Sequence, residues 1–250
     1  MLNSSETASQ FESMSLDLAL VALDEIAKQR ASKSKLSSRS DVEVFCNRII
    51  AKDDDEQIDF IEGLIARGVS LDTIFEEFIP NIAERLGNLW KQNKLSFVEV
   101  NIGTQRLQRL SRIYENRYLG PLYLFPSGPA ILLILPKGEI HTLGLITASG
   151  IFKKCGTNPF VAVGYTDEEI LHLMATTEFK LVGMSVSHSG NIASCVQTAK
   201  KIKRFTKNKI PIVLGGQGTH NLTEATDISV FDALTKDPKA TLKLMKLDRQ

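Results

Sequence analysis

Residues 131–144 read ILLILPKGEIHTLG, an unbroken apolar run that stops at Pro136 and opens into a short polar loop before a helical pattern begins. Five consecutive apolar residues without alternation, bounded by Pro and Gly, are the mark of a strand buried on both faces. Runs of the same kind recur at Phe160–Val163, Leu181–Ser185 and Ile212–Leu214, with a weaker one at Ser229–Phe231. Helical patterns lie between and after them, near 143–154, 167–177, 192–204, 219–225 and 238–247. Such alternation predicts an α/β domain built on a doubly wound, five-stranded parallel sheet of flavodoxin-like order. In that order the loops after the first and third strands come together where the strand order reverses, and ligands bind there. Those two loops carry the unusual content: PKGEIHTLG over Pro136–Gly144 and SVSHSG over Ser185–Gly190. The fourth strand then ends in Gly215 and Gly216.

Upstream the pattern changes. From Asp41 to about Arg117 it is helical throughout, with breaks near Asp53–Asp55, Gly68–Ser70 and Asn93–Ser96, which predicts four helices in a bundle. The third places Phe75, Phe78, Ile79, Ile82, Leu86, Leu89 and Trp90 on one face, with Pro80 as a kink. The fourth starts at Ser96, where Glu99 completes a capping box. A stretch with Gly120, Pro121, Pro126, Gly128 and Pro129 separates this helical unit, 41–119, from the sheet domain, 130–250. Before it, residues 1–40 read as a mobile arm with one short amphipathic helix on Leu16, Leu20, Leu23 and Ile26, either a docking segment or an extra helix on the next domain.

Hydrophobic residues are 43% and charged residues 24% of the 250, enough for a packed core along most of the chain. The 30 basic and 29 acidic residues leave a net charge of +1, so no overall field draws the protein to nucleic acid or an anionic surface. The densest basic cluster, Lys200, Lys201, Lys203, Arg204, Lys207 and Lys209, reads as a solvated helix face and its exit loop. Cys46, Cys155 and Cys195 are odd in number and lack a CxxC pair, which fits a reducing cytoplasm rather than a disulfide or zinc framework. No basic, apolar leader opens the chain, and no run of about 18 apolar residues occurs, so neither export nor a membrane span is expected.

Glu139-Ile-His141-Thr-Leu-Gly144, then Ser185-Val-Ser187, then Gly215-Gly216, resembles the DxHxxG, SxL and GG signature of base-off, His-on cobalamin-binding domains. The resemblance covers 130–250. It implies that His141 is the lower ligand of cobalt, with Glu139 accepting the hydrogen bond of the other ring nitrogen. It further implies that Gly144 lets the displaced nucleotide tail pass close to the backbone. Ser185 and Ser187 then meet the nucleotide base in a slot that Gly215 and Gly216 keep open. Two positions depart from the signature. Glu139 replaces an Asp and is one methylene longer, which sets the expectation of a weaker or water-mediated bond to His141; Ser187 replaces the Leu and makes the slot more polar. His188 is an alternative ligand, and His172 and His220 read as structural or exposed.

Residues 89–103, LWKQNKLSFVEVNIG, running on into Arg106–Leu110, are similar to a segment of the PpaA/AerR group of antirepressors of photosynthesis genes. That resemblance implies a cobalamin-binding, light- or redox-responsive transcription regulator. It would act on a partner protein, a repressor of bacteriochlorophyll and carotenoid genes; direct DNA contact is left open. The corrinoid would be adenosylcobalamin or hydroxocobalamin, with heme as the alternative. Trp90, read alone as a core residue, would in a cap lie against the upper ligand. Glu99-Val-Asn101 stands where repressor-type B12 photoreceptors carry a Glu-His pair, so no upper-face His is expected from the cap. A receiver domain is excluded by the missing Asp after the third strand. A corrinoid carrier subunit remains the main competitor, and no residue set points to catalysis by this chain alone.

Overall fold

The computed structural model describes residues 39–51, 55–120, 128–222 and 227–247. The amphipathic segment Leu16–Ile26 and most of the arm lie outside the described residues, as do 121–127 of the linker. The described chain divides into two compact units, 1–103 and 104–250.

The helical unit contains α1 (Arg39–Ile50) and α2 (Asp55–Ala66). A longer run follows: one α turn at Leu71–Thr73, a π turn at Ile74–Phe78, and α3 (Ile79–Lys91). The expected kink at Pro80 therefore takes the form of a π turn. Pro80 has no N–H to give to the preceding turn and its ring crowds that turn's carbonyl, so the backbone widens just before it. Phe45, Phe78, Ile79, Ile82 and Leu86 are fully buried, and Phe45 packs on Phe60 and Phe78 with ring centroids 4.9 and 5.5 Å apart. Leu89 is half-buried. Trp90 is 44% exposed, so the reading of it as a core residue does not hold.

Helix α4 (Phe97–Leu119) begins at the expected capping box: the Ser96 N–H donates to Glu99 Oε2 at 2.7 Å, and the Glu99 N–H donates to Ser96 Oγ at 3.2 Å. It is one continuous helix, and the division between units falls inside it at Gly103, not in the Pro/Gly stretch at 120–129. The cause is visible in the partners of its second half. Gln108 donates to Thr142 Oγ1 at 2.7 Å, Glu115 pairs with Lys153 at 2.7 Å, and Lys154 sits 4.3 Å over the Tyr118 ring.

The sheet unit runs β1 (Ala130–Leu135), α5 (Leu143–Lys154), β2 (Asn158–Val163), α6 (Asp167–Thr176), β3 (Phe179–Ser185), α7 (Ile192–Phe205), β4 (Ile212–Gly215), β5 (Ala233–Thr235) and α8 (Pro238–Leu244). All neighbouring strands are parallel, in the order β2-β1-β3-β4-β5. This is the doubly wound, flavodoxin-like arrangement, with the reversal between β1 and β3. Strand β1 shows why it forms: Leu132 and Ile134 enter the core on one face, and Ile131, Leu133 and Leu135 enter the core on the other. Each such side chain contributes about 1.5–3 kcal/mol by leaving water.

Two elements differ from expectation. The fifth strand is Ala233–Thr235 rather than Ser229–Phe231. Asp227 Oδ1 accepts from both the N–H and the hydroxyl of Ser229, and the Phe231 N–H donates to Ile228 O, so 227–231 is a turn. Phe231 still looks like a strand residue because the turn delivers its ring into the core. The helix expected over 219–225 is a 3-10 turn at Gln217–Asn221, and 223–226 lie outside the described residues.

Three of the six cations of the basic cluster are paired with carboxylates: Lys200 with Asp227 at 3.2 Å, Lys201 with Asp167 at 2.5 Å and Lys203 with Asp232 at 2.6 Å. Among the described residues no helix is long and apolar enough to cross a membrane.

Candidate functional site

Pro136 ends β1, and the next residues fold into a turn closed by the Glu139 N–H on Pro136 O at 3.0 Å. Gly138, at φ +89°, takes the left-handed position that such a turn requires. The turn sends the Glu139 side chain inward, where only 1% of it is exposed, and leaves His141 at 52% exposure.

Glu139 is the hub. Its Oε1 accepts from the backbone N–H groups of Ile140 and His141 at 3.1 and 3.2 Å, from Ser187 Oγ at 2.7 Å, and from His141 Nδ1 at 2.7 Å. Its Oε2 accepts from the Ser187 N–H at 2.9 Å and from Asn191 Nδ2 at 3.2 Å. Burial alone pushes this carboxyl up. The hydrogen bonds from Ser187 (backbone, then hydroxyl), His141 and Asn191 outweigh it and hold the pKa at about 2, so Glu139 is a carboxylate at any ordinary pH.

Because a carboxylate only accepts, His141 must carry its proton on Nδ1, which leaves the Nε2 lone pair available to a ligand. The extra methylene of Glu139 therefore does not weaken the contact or route it through water: the bond to His141 is direct.

Ser187 links the two loops. Its hydroxyl lies 2.9 Å from His141 Nδ1 and 2.6 Å from His188 Nδ1, besides donating to Glu139. The rings of His141 and His188 are 5.2 Å apart between centroids, tilted by 54°. The sequence pattern put His188 forward only as an alternative to His141, but the fold brings the two side by side. Asn191 was not anticipated. It closes the 3-10 turn Ser189–Asn191 after β3, and the available signal was only its place in the third loop.

The glycines act differently from an open slot. Ser185 and Gly215 are register partners at the ends of β3 and β4. Gly216, at φ +97°, lets the two following loops touch: a Cβ there would meet Val186 O at 2.2 Å, and the Gly218 N–H donates to Val186 O at 3.0 Å. Gly144 is exposed on the first turn of α5 with open space where a Cβ would stand. His172 and His220 are both exposed, and neither is among the partners of Glu139 described above. In the helical unit Trp90 lies against Phe97 at 6.4 Å between centroids.

No family model matches the chain. A curated relative, "Uncharacterized 20.5 kDa protein in bchF-crtJ intergenic region" of Rhodobacter capsulatus, is 26% identical over 172 residues, 69% of this chain and 90% of its own length. Among solved structures, the Methanosarcina barkeri monomethylamine corrinoid protein matches 83% of this chain and 98% of its own length with a TM-score of 0.65 at 11% identity. A cobalamin-binding protein from Desulfitobacterium hafniense DCB-2 matches 82% of this chain and 97% of its own length at 13% identity, with a TM-score of 0.40. The fold is thus shared with a corrinoid protein, in line with the resemblance drawn from residues 130–250.

Proposed function

We propose that this chain binds cobalamin through His141 Nε2 as the lower axial ligand of cobalt, and that it works as a corrinoid-responsive regulator acting on a partner protein rather than as an enzyme. One observation carries the reading: the Nδ1–H of an exposed imidazole is fixed on a buried, fully hydrogen-bonded carboxylate at the point where the strand order reverses. An imidazole held in this way presents one good nitrogen donor outward, with its basicity raised by the carboxylate behind it. A corrinoid would supply cobalt–carbon chemistry that light or redox change can alter. The chain's own part is to hold one nitrogen at a fixed angle and to register which upper group is present.

The regulatory half of the proposal rests on the similarity of residues 89–110 to the PpaA/AerR group and on the relative from the bchF–crtJ region. Under it, the partner is a repressor of photosynthesis genes, and the pairing of the α7 lysines with Asp167, Asp227 and Asp232 argues that the contact is with protein rather than DNA.

Absorption spectra of the purified protein with adenosylcobalamin and hydroxocobalamin, in darkness and after illumination, test the ligand, with hemin in parallel. A base-off, histidine-ligated corrinoid spectrum that changes on illumination is expected. A Soret band with hemin and no uptake of either cobalamin overturns the reading in favour of heme. Methyl transfer from the loaded protein to a methyltransferase partner would make it a carrier instead.

A further inference from the structure

Imidazole nitrogens beside His141 are more numerous than a single axial bond requires. The Ser187 hydroxyl has one hydrogen, which it donates to Glu139 Oε1, so its oxygen receives the Nδ1–H of His188 at 2.6 Å. His188 is then in the same state as His141, with Nδ1 anchored on the Ser187–Glu139 unit and the Nε2 lone pair left over. Both rings are exposed, their centroids are 5.2 Å apart, and one donor atom from each of Glu139, His141 and His188 lies within 4.8 Å of the others.

We propose that His141 and His188 together form a two-imidazole site for a free divalent transition-metal ion, Zn²⁺ or Ni²⁺, which the chain takes up when no corrinoid is present. Nitrogen donors of this kind suit Zn²⁺, Ni²⁺ and Cu²⁺ and discriminate against Mg²⁺ and Ca²⁺, which prefer oxygen. Two nitrogens on one tetrahedral zinc at about 2.0–2.1 Å stand about 3.3 Å apart. With the two ring centroids 5.2 Å apart, a turn of the exposed His188 ring about its contact with Ser187 brings the two Nε2 atoms to one ion. Glu139 stays behind the ligands, since both of its oxygens are already engaged by donors; water completes the coordination. Free ion and corrinoid would claim the same Nε2 of His141, so binding of one excludes the other. The proposal shares His141 with the corrinoid reading but does not depend on it.

Isothermal titration of the corrinoid-free full chain with ZnCl₂, NiCl₂ and MgCl₂ tests it. One Zn²⁺ or Ni²⁺ per chain and no Mg²⁺ is expected, and His188→Ala and His141→Ala should each weaken binding at least about tenfold. Circular dichroism on both variants checks that the fold is kept, and His188→Gln repeats the test with a residue that retains a polar tip. Wild-type protein that takes up no Zn²⁺ or Ni²⁺ overturns the proposal, as does unchanged uptake by both His188 variants. The corrinoid reading fails by a different result, absent cobalamin spectra in a chain that still binds zinc.

Discussion

Two corners of this protein present rings to solvent, and they are built on opposite principles. In the loops after β1 and β3, each polar group that shapes His141 is tied to another: Glu139 accepts from six donor groups on four residues, Ile140, His141, Ser187 and Asn191, and Ser187 touches both imidazoles. At the turn between α3 and α4, Trp90, Phe97 and Val98 are exposed, and the contact recorded for Trp90 is a tilted ring pair with Phe97. The first corner has directional, short-range bonds, so a change of one atom is felt by the whole set. The second has apolar area and little directionality, and it tolerates change in proportion to the area lost. The proposed function as a corrinoid sensor would use both: a rigid grip for the metal and a compliant surface for a partner to read.

The largest effect should come from breaking the grip at its outward atom. His141→Ala removes the proposed ligand while leaving Glu139 with its Ser187 and Asn191 donors, so the fold should survive and cobalamin should wash out on gel filtration. Retention with a histidine-ligated spectrum would transfer the role to His188. Next is Glu139→Gln, which keeps the size but replaces an acceptor oxygen with a donor and removes the charge behind the imidazole. Loss of such support behind a metal ligand costs about 10 to 100-fold in affinity, measurable by equilibrium dialysis with hydroxocobalamin. An unchanged affinity would mean that the 2.7 Å contact does not tune His141.

Acid sharpens the same point. Glu139 has its pKa depressed from 4.5 to about 2 in the folded chain, so its stabilisation is fully present above about 4.5 and is lost as pH falls towards 2. The difference is on the order of 3 kcal/mol. Thermal melts between pH 5 and 2.5 should show a steeper fall for the wild type than for Glu139→Gln. Equal slopes would place the acid sensitivity elsewhere.

Glycine positions separate close packing from mere turn geometry. Gly216 and Gly138 both have positive φ, +97° and +89°, but only at Gly216 would a Cβ meet backbone, at 2.2 Å from Val186 O. Gly216→Ala should cost about 2–3 kcal/mol and Gly138→Ala about 1 kcal/mol, read by chemical denaturation. Equal costs would show that the loops after β3 and β4 part easily.

Much of this was legible in the sequence because hydrophobic burial writes itself locally. The apolar run at 131–135 and its repeats carry the parallel sheet, and Ser96 with Glu99 marks the start of α4. What the pattern could not carry is where a residue goes once the chain leaves its element. Phe231 is apolar because a turn drives it into the core, not because it is in a strand. Asn191 reaches Glu139 across 52 positions, and Ser187 turns from a departure from a motif into the link between two histidines. The length of Glu139 was misread for the same reason: its reach depends on the Pro136–Glu139 turn, which residue type alone does not give.

The smallest effect is expected at the other corner, and it is the one that tests the division of labour. Trp90 is nearly half exposed, so Trp90→Ala forfeits only a fraction of the 3–5 kcal/mol typical of a fully buried aromatic, about 1 kcal/mol in a denaturation curve. It breaks no hydrogen bond of the Glu139 network, whose members all lie between residues 139 and 191. Cobalamin affinity should therefore stay within about twofold of wild type. If the helical unit carries the signal, the same variant should bind the proposed partner repressor equally in darkness and in light, because an effector shifts an equilibrium only through a difference in its interaction with the two states. Pull-down of the repressor with wild-type and Trp90→Ala protein, each loaded with adenosylcobalamin before and after illumination, reads that difference. A variant that loses cobalamin as Glu139→Gln does would show that the grip extends into the helical unit. A variant whose partner binding follows light as the wild type does would move the readable surface to the sheet unit.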